Sequence, residues 1–233
     1  AVPCSGSAYE RAALCGCGSK DASEPIITKT DIEVVDGQYT PEIMHRIGKV
    51  GDPQVSPDGS KILYGVTYTS IEQNKGNREL YLMNLDGSNN IKLTSTPKSE
   101  SNARWISDSQ IVYMRGGKLY TATLEGGKLA AETEVAGGEG FEGFELSPAG
   151  NKIMFVKSVK AAVKPTDVYP DLDKSSGRTY TDLMYRHWDH FVEEVPHTYI
   201  ADFAASKVGA AADILAGDTA NPETETAKFE LPT

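Results

Sequence analysis

A tight-turn motif occurs three times along the chain, each time directly before a strand-like run of β-branched and aromatic residues. Ile62, Ile111 and Ile153 take the same place in these runs, so the copies lie 49 and 42 residues apart. In the fullest copy Pro fixes φ, Asp bonds its own backbone and Gly adopts the left-handed conformation. The copies are Ser56-Pro57-Asp58-Gly59, Ser107-Asp108-Ser109-Gln110 and Ser147-Pro148-Ala149-Gly150. A shared register of this kind predicts repeated β units.

Each unit continues in the same order after its first strand. Partner strands are predicted at residues 79–85 and 118–124, with turns at residues 86–87 and 125–127 and a closing strand at residues 91–94. Four strands in about 40–50 residues is the size of one β-propeller blade. A β-sandwich with incidentally similar hairpins is the alternative, but the whole order recurs. We therefore predict an all-β fold, an incomplete β-propeller of about three four-stranded blades.

Two further elements flank the repeats. A short N-terminal helix is predicted over residues 40–48, because Thr40 can cap it, Pro41 suits its first turn and Gly48 can end it. The third partner strand is predicted at residues 197–203 and a last strand at residues 213–217. These elements place the folded region at residues 39–233.

A long excursion interrupts the third unit. Tyr199 of the partner strand follows Phe155 by 44 residues, whereas Tyr113 and Tyr120 of the second unit are only 7 apart. Connections of this length in compact domains are usually functional or disordered. Its aromatic content indicates an ordered, packed insertion, with Tyr169, Tyr180, Tyr185, Trp188 and Phe191.

Composition limits the classes of partner and of chemistry. The net charge is −10 with acidic residues spread along the chain, which argues against nucleic acid or an anionic membrane surface as the main partner. All cysteines lie at or before Cys17, so no disulfide or cysteine-based metal site is expected in the folded region.

The first residues resemble the leader of a bacterial lipoprotein. Leu14-Cys15-Gly16-Cys17 is similar to a lipobox, in which Cys17 would carry the lipid, and a polar tether follows. However, Glu10 and Arg11 interrupt the apolar stretch that a signal peptide needs, and a disordered, partly artefactual leader is the alternative. We expect residues 1–38 to be a leader and tether, and the protein to be exported to the periplasm or anchored at the outer membrane.

Four segments together resemble a known family. They are the predicted N-terminal helix, the run Val50–Gly59, the strand at residues 77–84 and the segment Met184–Phe191. All four are similar to the N-terminal region of prolyl oligopeptidase-family serine peptidases. The bacterial dipeptidyl peptidase and acylaminoacyl peptidase branch is the most similar. The resemblance covers residues 39–233.

This resemblance implies a propeller paired with a C-terminal α/β-hydrolase domain. In such proteins the propeller restricts access to short peptides, and a Ser on a Gly-x-Ser-x-Gly elbow attacks them. The sequence contains no Gly-x-Ser-x-Gly motif, so no nucleophile or triad is expected within it. The expected function is therefore a propeller fragment that gates and orients short peptides for the hydrolase domain.

Glu193 and Glu194 are the candidate substrate-binding residues. In dipeptidyl peptidase IV relatives, a Glu pair on a propeller insertion binds the free amino terminus of the substrate by charge-assisted hydrogen bonds. Only the bare pair matches here, and adjacent acidic residues are commonly a solvated loop.

A metal site is a second candidate in the same region. His187, His190 and His197 with nearby carboxylates have suitable chemistry for zinc or iron. The resemblance already explains this segment as a packed insertion, so we expect neither a metal nor a cofactor. Trp105 and Trp188 are expected in the core or between blades rather than stacked on a ligand.

Two further expectations concern partners. Unpaired strand edges and apolar blade faces predict association, including homo-oligomers. The alternative function is a non-catalytic periplasmic propeller that binds protein partners.

Overall fold

The structure is a computed structural model that describes residues 25–180, 186–187 and 189–217. It begins with a short helix, α1 (Pro41–Arg46), whose N-cap Thr40 accepts a hydrogen bond from the Ile43 amide at 3.4 Å. The predicted N-terminal helix is thereby confirmed. Within the described residues, no helix has the length and hydrophobicity that crossing a bilayer requires.

Blade 1 is a four-stranded antiparallel sheet. Its strands, in spatial as well as chain order, are β1 (Lys49–Val55), β2 (Lys61–Ser70), β3 (Lys75–Asn84) and β4 (Ile91–Lys92). Strand β4 is shorter than predicted, because the Leu80 amide donates to the Thr94 hydroxyl at 2.9 Å rather than to a backbone carbonyl.

Blade 2 repeats this arrangement with tighter turns. It contains β5 (Glu100–Ser107), β6 (Gln110–Arg115), β7 (Lys118–Glu125) and β8 (Lys128–Glu139), each antiparallel to the next. Gly116 and Gly117 connect β6 to β7 with φ of 58° and 76°, values that favour glycine. The partner strand predicted at residues 118–124 is confirmed.

Blade 3 is interrupted by the predicted insertion, which we define as residues 161–193. Its strands are β9 (Gly143–Leu146), β10 (Lys152–Lys160), β13 (Glu194–Ala204), β14 (Lys207–Val208) and β15 (Ala212–Asp213). The insertion contains α2 (Pro165–Val168), β11 (Arg186–His187) and β12 (His190–Phe191). The last strand predicted at residues 213–217 is wrong beyond Asp213, whose carboxylate accepts the Leu215 amide at 2.9 Å and bends the chain into a turn.

Blades 2 and 3 are joined along their outer edges, which the sequence did not predict. Strand β14 pairs with β13 and, through Lys207 and Ala136, in parallel with β8. Gly137 permits this close approach, because a Cβ there would lie 3.1 Å from the Val208 carbonyl oxygen and its φ is 77°. Strands of both blades therefore form one continuous sheet.

Apolar cores lie between consecutive blades. The core between blades 1 and 2 contains Leu63, Leu80, Leu82, Ala103, Ile111, Tyr113 and Ala122. The core between blades 2 and 3 contains Val112, Met114, Leu119, Val135, Phe141, Phe144, Ile153, Phe155, Ala201, Phe203 and Val208. Face-to-face burial of consecutive sheets is the packing expected of a propeller.

Trp105 is one of the residues that connect blades 1 and 2. Its indole nitrogen donates to the Gln54 carbonyl oxygen at 3.0 Å, and its ring packs against the first core. The predicted place of Trp105 between blades is thus confirmed, whereas Trp188 lies outside the described residues.

Candidate functional site

The first strands of the three blades, β1, β5 and β9, are neighbours in space. The innermost strand of each blade lines the central channel of a propeller. Gln54, Arg104 and Glu145 take equivalent places on these strands, each opposite the residue that follows the repeat isoleucine on the next strand. The repeat therefore presents a polar side chain at one level of all three inner strands.

Arg104 connects the three blades at this level. Its Nη1 lies 3.0 Å from both carboxylate oxygens of Asp52 in blade 1. Its Nε lies 2.8 Å from Oε2 of Glu145 in blade 3, and its Nη2 donates to the other oxygen. We call Asp52, Arg104 and Glu145 the axial clasp.

The backbone positions the clasp through matching bulges. Asp52 and Asn102 lie in the bulges of β1 and β5 and have φ of 54° and 52°. Asp and Asn tolerate this left-handed conformation better than most residues. Each reaches the next blade, since Asn102 Nδ2 donates to the Phe144 carbonyl oxygen at 2.5 Å while Asp52 accepts from Arg104. In blades 1 and 2 the bulge thus places one polar side chain in contact with the next blade.

The two carboxylates of the clasp stabilise the charge of Arg104. Its hydrogen bonds with Glu145, and next those with Asp52, raise the pKa of the Arg104 guanidinium above its already high value, although burial acts the other way. Only 15% of the arginine side chain is exposed, against 28% for Asp52 and 53% for Glu145. The clasp therefore connects the inner strands β1, β5 and β9. Its two carboxylates and one guanidinium leave one excess negative charge on these strands.

Glu193 lies at the end of the insertion, between two cations. Its Oε2 accepts from Lys164 Nζ at 2.6 Å and its Oε1 from Arg178 Nε at 2.6 Å. These hydrogen bonds, with Lys164 first, lower the pKa of the carboxyl. Its backbone carbonyl also accepts from the Ala161 and Ala162 amides. Glu193 therefore ties both ends of the insertion together.

Glu194 has different surroundings. It is the first residue of β13, is exposed, and lies opposite Lys160 of β10. Lys160 itself forms an ion pair with Asp167 in α2. The two predicted residues thus lie side by side. Glu193 forms ion pairs within the insertion, whereas Glu194 is exposed at the start of β13.

Aromatic and cationic side chains form a small stack in the same insertion. The Tyr180 and Phe191 rings lie 6.3 Å apart, and the Arg178 guanidinium lies 4.9 Å from the Phe191 ring centre. Phe191 is 42% exposed and Tyr169 is 58% exposed. The described part of the insertion therefore packs its aromatic rings only in part. Tyr185 and Trp188 lie outside the described residues.

His190 and His197, two of the three predicted histidines, have different surroundings, and the side chain of His187 lies outside the described part of the structure. His197 is buried with Nδ1 2.9 Å from Asp213 Oδ2, whereas His190 is exposed and contacts Asp189 at 3.2 Å. Across the part of the chain that the structure describes, no three His, Cys, Asp or Glu side chains are grouped to bind a metal. The predicted lipidation residue, Cys17, falls outside the described residues.

Sequence reasoning missed two polar groupings. The sequence held only a weak indication of the axial clasp. Its charged residues Arg104 and Glu145 precede the serines of their repeat turns by three and two residues. The second grouping is a buried cluster around Glu79 and Glu100, whose members are scattered over two blades and the connection between them.

The chain has curated relatives. It is 36% identical over 182 residues to dipeptidyl-peptidase 5 of Porphyromonas gingivalis, a match that covers 77% of this chain and 27% of that protein. It is 34% identical over 184 residues to dipeptidyl-peptidase 5 of Porphyromonas endodontalis, with 77% and 26% covered. The chain therefore spans about a quarter of the length of these relatives. No protein-family model matches it.

Solved structures share the fold. The acylaminoacyl peptidase of Pyrococcus horikoshii superposes with a TM-score of 0.56 at 13% identity, over 76% of this chain and 26% of that one. An acylaminoacyl peptidase in complex with Z-Gly-Gly-Phe-chloromethyl ketone gives 0.54 at 14% identity, over 73% and 26%. In sequence and in its bladed fold the chain is therefore similar to the N-terminal β-propeller region of prolyl oligopeptidase-family peptidases.

Proposed function

We propose that this chain is the propeller portion of an exported serine peptidase, and that it gates and orients short peptides for a C-terminal hydrolase domain. The observation that carries the proposal is the 36% identity to a dipeptidyl-peptidase over 182 residues, 77% of this chain. The axial clasp supports the gating role, because it fixes the inner strands where a peptide would pass.

The activity is tested on the longer protein that includes these blades. We expect it to release chromophore from dipeptide or acyl-amino-acid substrates, and a serine-directed inhibitor to abolish the release. The 233-residue chain alone serves as the control and should not cleave them. A longer protein without cleavage would favour the alternative, a propeller that only binds protein partners.

Glu194 is the better candidate of the predicted pair for binding a substrate amino terminus. Glu193 already has ion-pair partners in Lys164 and Arg178, whereas Glu194 is exposed at the edge of the insertion. An ammonium group would have to displace two cations to reach Glu193. The charge of Glu194 is therefore proposed to orient the free amino terminus.

The two roles are separated by matched substitutions in the longer protein. Glu194→Gln should lower kcat/KM for substrates with a free amino terminus by about 10-fold or more, as expected for a charged hydrogen bond. N-acylated analogues should be cleaved as before. Glu193→Gln should instead loosen the insertion and affect both substrates alike. Equal losses for both substrates in Glu194→Gln would refute amine recognition by this residue.

A lipid anchor at Cys17 and export are proposed on the lipobox-like run alone. The test is metabolic labelling with a radioactive fatty acid in the native host. Label in the wild type and none in Cys17→Ala is the expected result.

A further inference from the structure

Two carboxyl groups are fully buried where blades 1 and 2 meet. Glu79 lies on β3 and Glu100 begins β5, and neither side chain has exposed surface. The connection from β4 to β5 contributes Thr94 and Thr96 to the same place. Burying one carboxylate is costly and burying two together is more so, unless donors satisfy both.

The Thr94 hydroxyl lies between the two carboxyl groups. Its Oγ1 is 2.8 Å from Glu79 Oε2 and 2.9 Å from Glu100 Oε2, and it accepts from the Leu80 amide at 2.9 Å. A hydroxyl has one proton and two lone pairs. One lone pair faces the Leu80 amide, so Thr94 can donate to one carboxyl and must accept from the other. The contacts therefore require one protonated carboxyl.

Glu79 has the donors that an ionised carboxylate needs. Its Oε1 accepts from Asn77 Nδ2 at 3.0 Å and from the Thr96 amide at 3.2 Å, and Lys92 Nζ lies 3.4 Å away. These neutral and charged donors stabilise the anion. The proton of the pair therefore belongs to Glu100.

Glu100 has weaker support for a charge. Its Oε1 is 2.7 Å from the Thr96 hydroxyl, but the Lys98 carbonyl oxygen competes for that proton at 2.6 Å. Arg115 Nη1 is 3.8 Å away and its guanidinium forms hydrogen bonds with Glu132. Burial raises the pKa of Glu100 to about 7, opposed by the threonine hydrogen bonds and by Arg115, and aided by the charge of Glu79.

We propose that one proton, carried by Glu100 in the Glu79–Thr94–Glu100 cluster, holds blades 1 and 2 together, so that their packing weakens as rising pH removes it. Tyr81 and Tyr113 beside the cluster stay neutral near neutral pH. Burial raises the pKa of Tyr81 to about 12 and that of Tyr113 further. Against its burial, the hydrogen bonds from Arg115 and Tyr113 lower the pKa of Glu132. The other charged groups around the cluster are Lys92 and Arg115.

The direction of the effect follows from the proton balance. The folded state binds the Glu100 proton more tightly than the unfolded chain, in which a glutamate has its ordinary pKa of 4.5. Protonated Glu100 therefore stabilises fully below about pH 4.5, and this contribution is lost as the pH rises through about 7.

Hydrogen exchange of the full chain measures the cluster locally. The Leu80 and Thr96 amides both donate into it, so peptides spanning residues 78–84 and 93–101 report on its opening. After correction for intrinsic exchange, we expect their protection to fall about tenfold between pH 6 and pH 8.5. Peptides from β10, which packs in the other core, should not show this loss.

Two variants identify the proton donor. Glu100→Gln supplies a permanent N–H donor and should remove the pH dependence, whereas Glu134→Gln on exposed β8 should retain it. Glu79→Gln removes a charge that adds to the effect of burial on the Glu100 pKa, and it should move the loss to lower pH. If Glu100→Gln does not fold, the pH dependence of protection in the wild type and in Glu79→Gln still tests the proposal. Wild-type protection that is independent of pH, or a tenfold loss that persists in folded Glu100→Gln, would overturn the proposal.

Discussion

Asp58 connects the first repeat turn to the second. Its Oδ1 accepts from the Ser56 hydroxyl at 2.6 Å and from the Ser60 amide at 3.0 Å, and its own amide donates to Asp108 Oδ1 at 2.8 Å. The Ser56 hydrogen bond, followed by those from Ser60, lowers the pKa of Asp58 to about 2. The ionised side chain therefore stabilises the turn directly.

This arrangement predicts a pH-dependent effect of Asp58→Ala. A carboxyl whose pKa is lowered on folding stabilises above its ordinary pKa of 3.8 and loses that contribution as the pH falls towards 2. The variant should therefore have a lower urea midpoint than the wild type at pH 6, and the difference should shrink between about pH 4 and pH 2. Asp58→Asn retains one acceptor and should show a smaller deficit. A deficit for Asp58→Ala that is constant over this range would contradict the assignment.

Position 65 requires glycine because the Arg78 side chain passes close to it, and not because of its own backbone conformation. Arg78 crosses over it so that Nη2 can donate to the Gly51 carbonyl oxygen at 2.9 Å. A Cβ at position 65 would lie 2.2 Å from Arg78 Nε. Gly65→Ala should therefore destabilise by about 1–2 kcal/mol through lost contact and crowding. Gly143→Ala is the matched control, because its Cβ would meet no atom within 4 Å, and both are compared by urea unfolding.

Residue-scale detail was the least predictable from the sequence. The turn chemistry of Asp58 was readable, because Ser, Pro, Asp and Gly act on their own neighbours. The axial clasp and the Glu79–Glu100 cluster were not, since each forms only when residues from separate blades meet. Trp105 was correctly assigned because a large aromatic residue beside a repeat turn usually becomes buried.

At the scale of elements, strand β10 has one buried face and one exposed face. Phe155 lies between the Phe141 ring at 4.0 Å and the Tyr199 ring at 5.4 Å, whereas Met154 on the same strand is 45% exposed. Phe155→Ala should lower the free energy of unfolding by about 3–5 kcal/mol, the usual cost of emptying a core aromatic site. Met154→Ala should change it far less. Equal effects in urea titrations would mean that the strand does not pack as described.

Strand positions were predictable wherever a local pattern determines them. Alternating apolar residues and glycine turns located β2, β3, β6 and β7, with ends shifted by a few residues. The truncated β4 was not foreseen because the Thr94 side chain replaces a backbone partner. The pairing of β8 with β14 depends on residues 136 and 207, which no local pattern connects.

At the scale of the whole molecule, the blades are joined by apolar cores and by the axial clasp. Arg104→Met should destabilise by about 1–3 kcal/mol, because it leaves partly buried Asp52 without its cation. Lys118→Met is the matched control, since its ion pair with Glu134 is about half exposed and surface ion pairs contribute little to stability. Thermal unfolding of both variants gives the comparison. A clasp variant as stable as the control would show that Arg104 does not connect the blades.

The measurement that tests the gating role most directly is a ratio of rates in the longer protein. We would compare kcat/KM for a chromogenic dipeptide with kcat/KM for a long unstructured peptide, in the wild type, Arg104→Met and Lys118→Met. If the clasped blades restrict the channel, Arg104→Met should cleave the long peptide several-fold better relative to the dipeptide, and Lys118→Met should match the wild type. An active enzyme whose ratio is the same in all three proteins would contradict a gate formed by these blades.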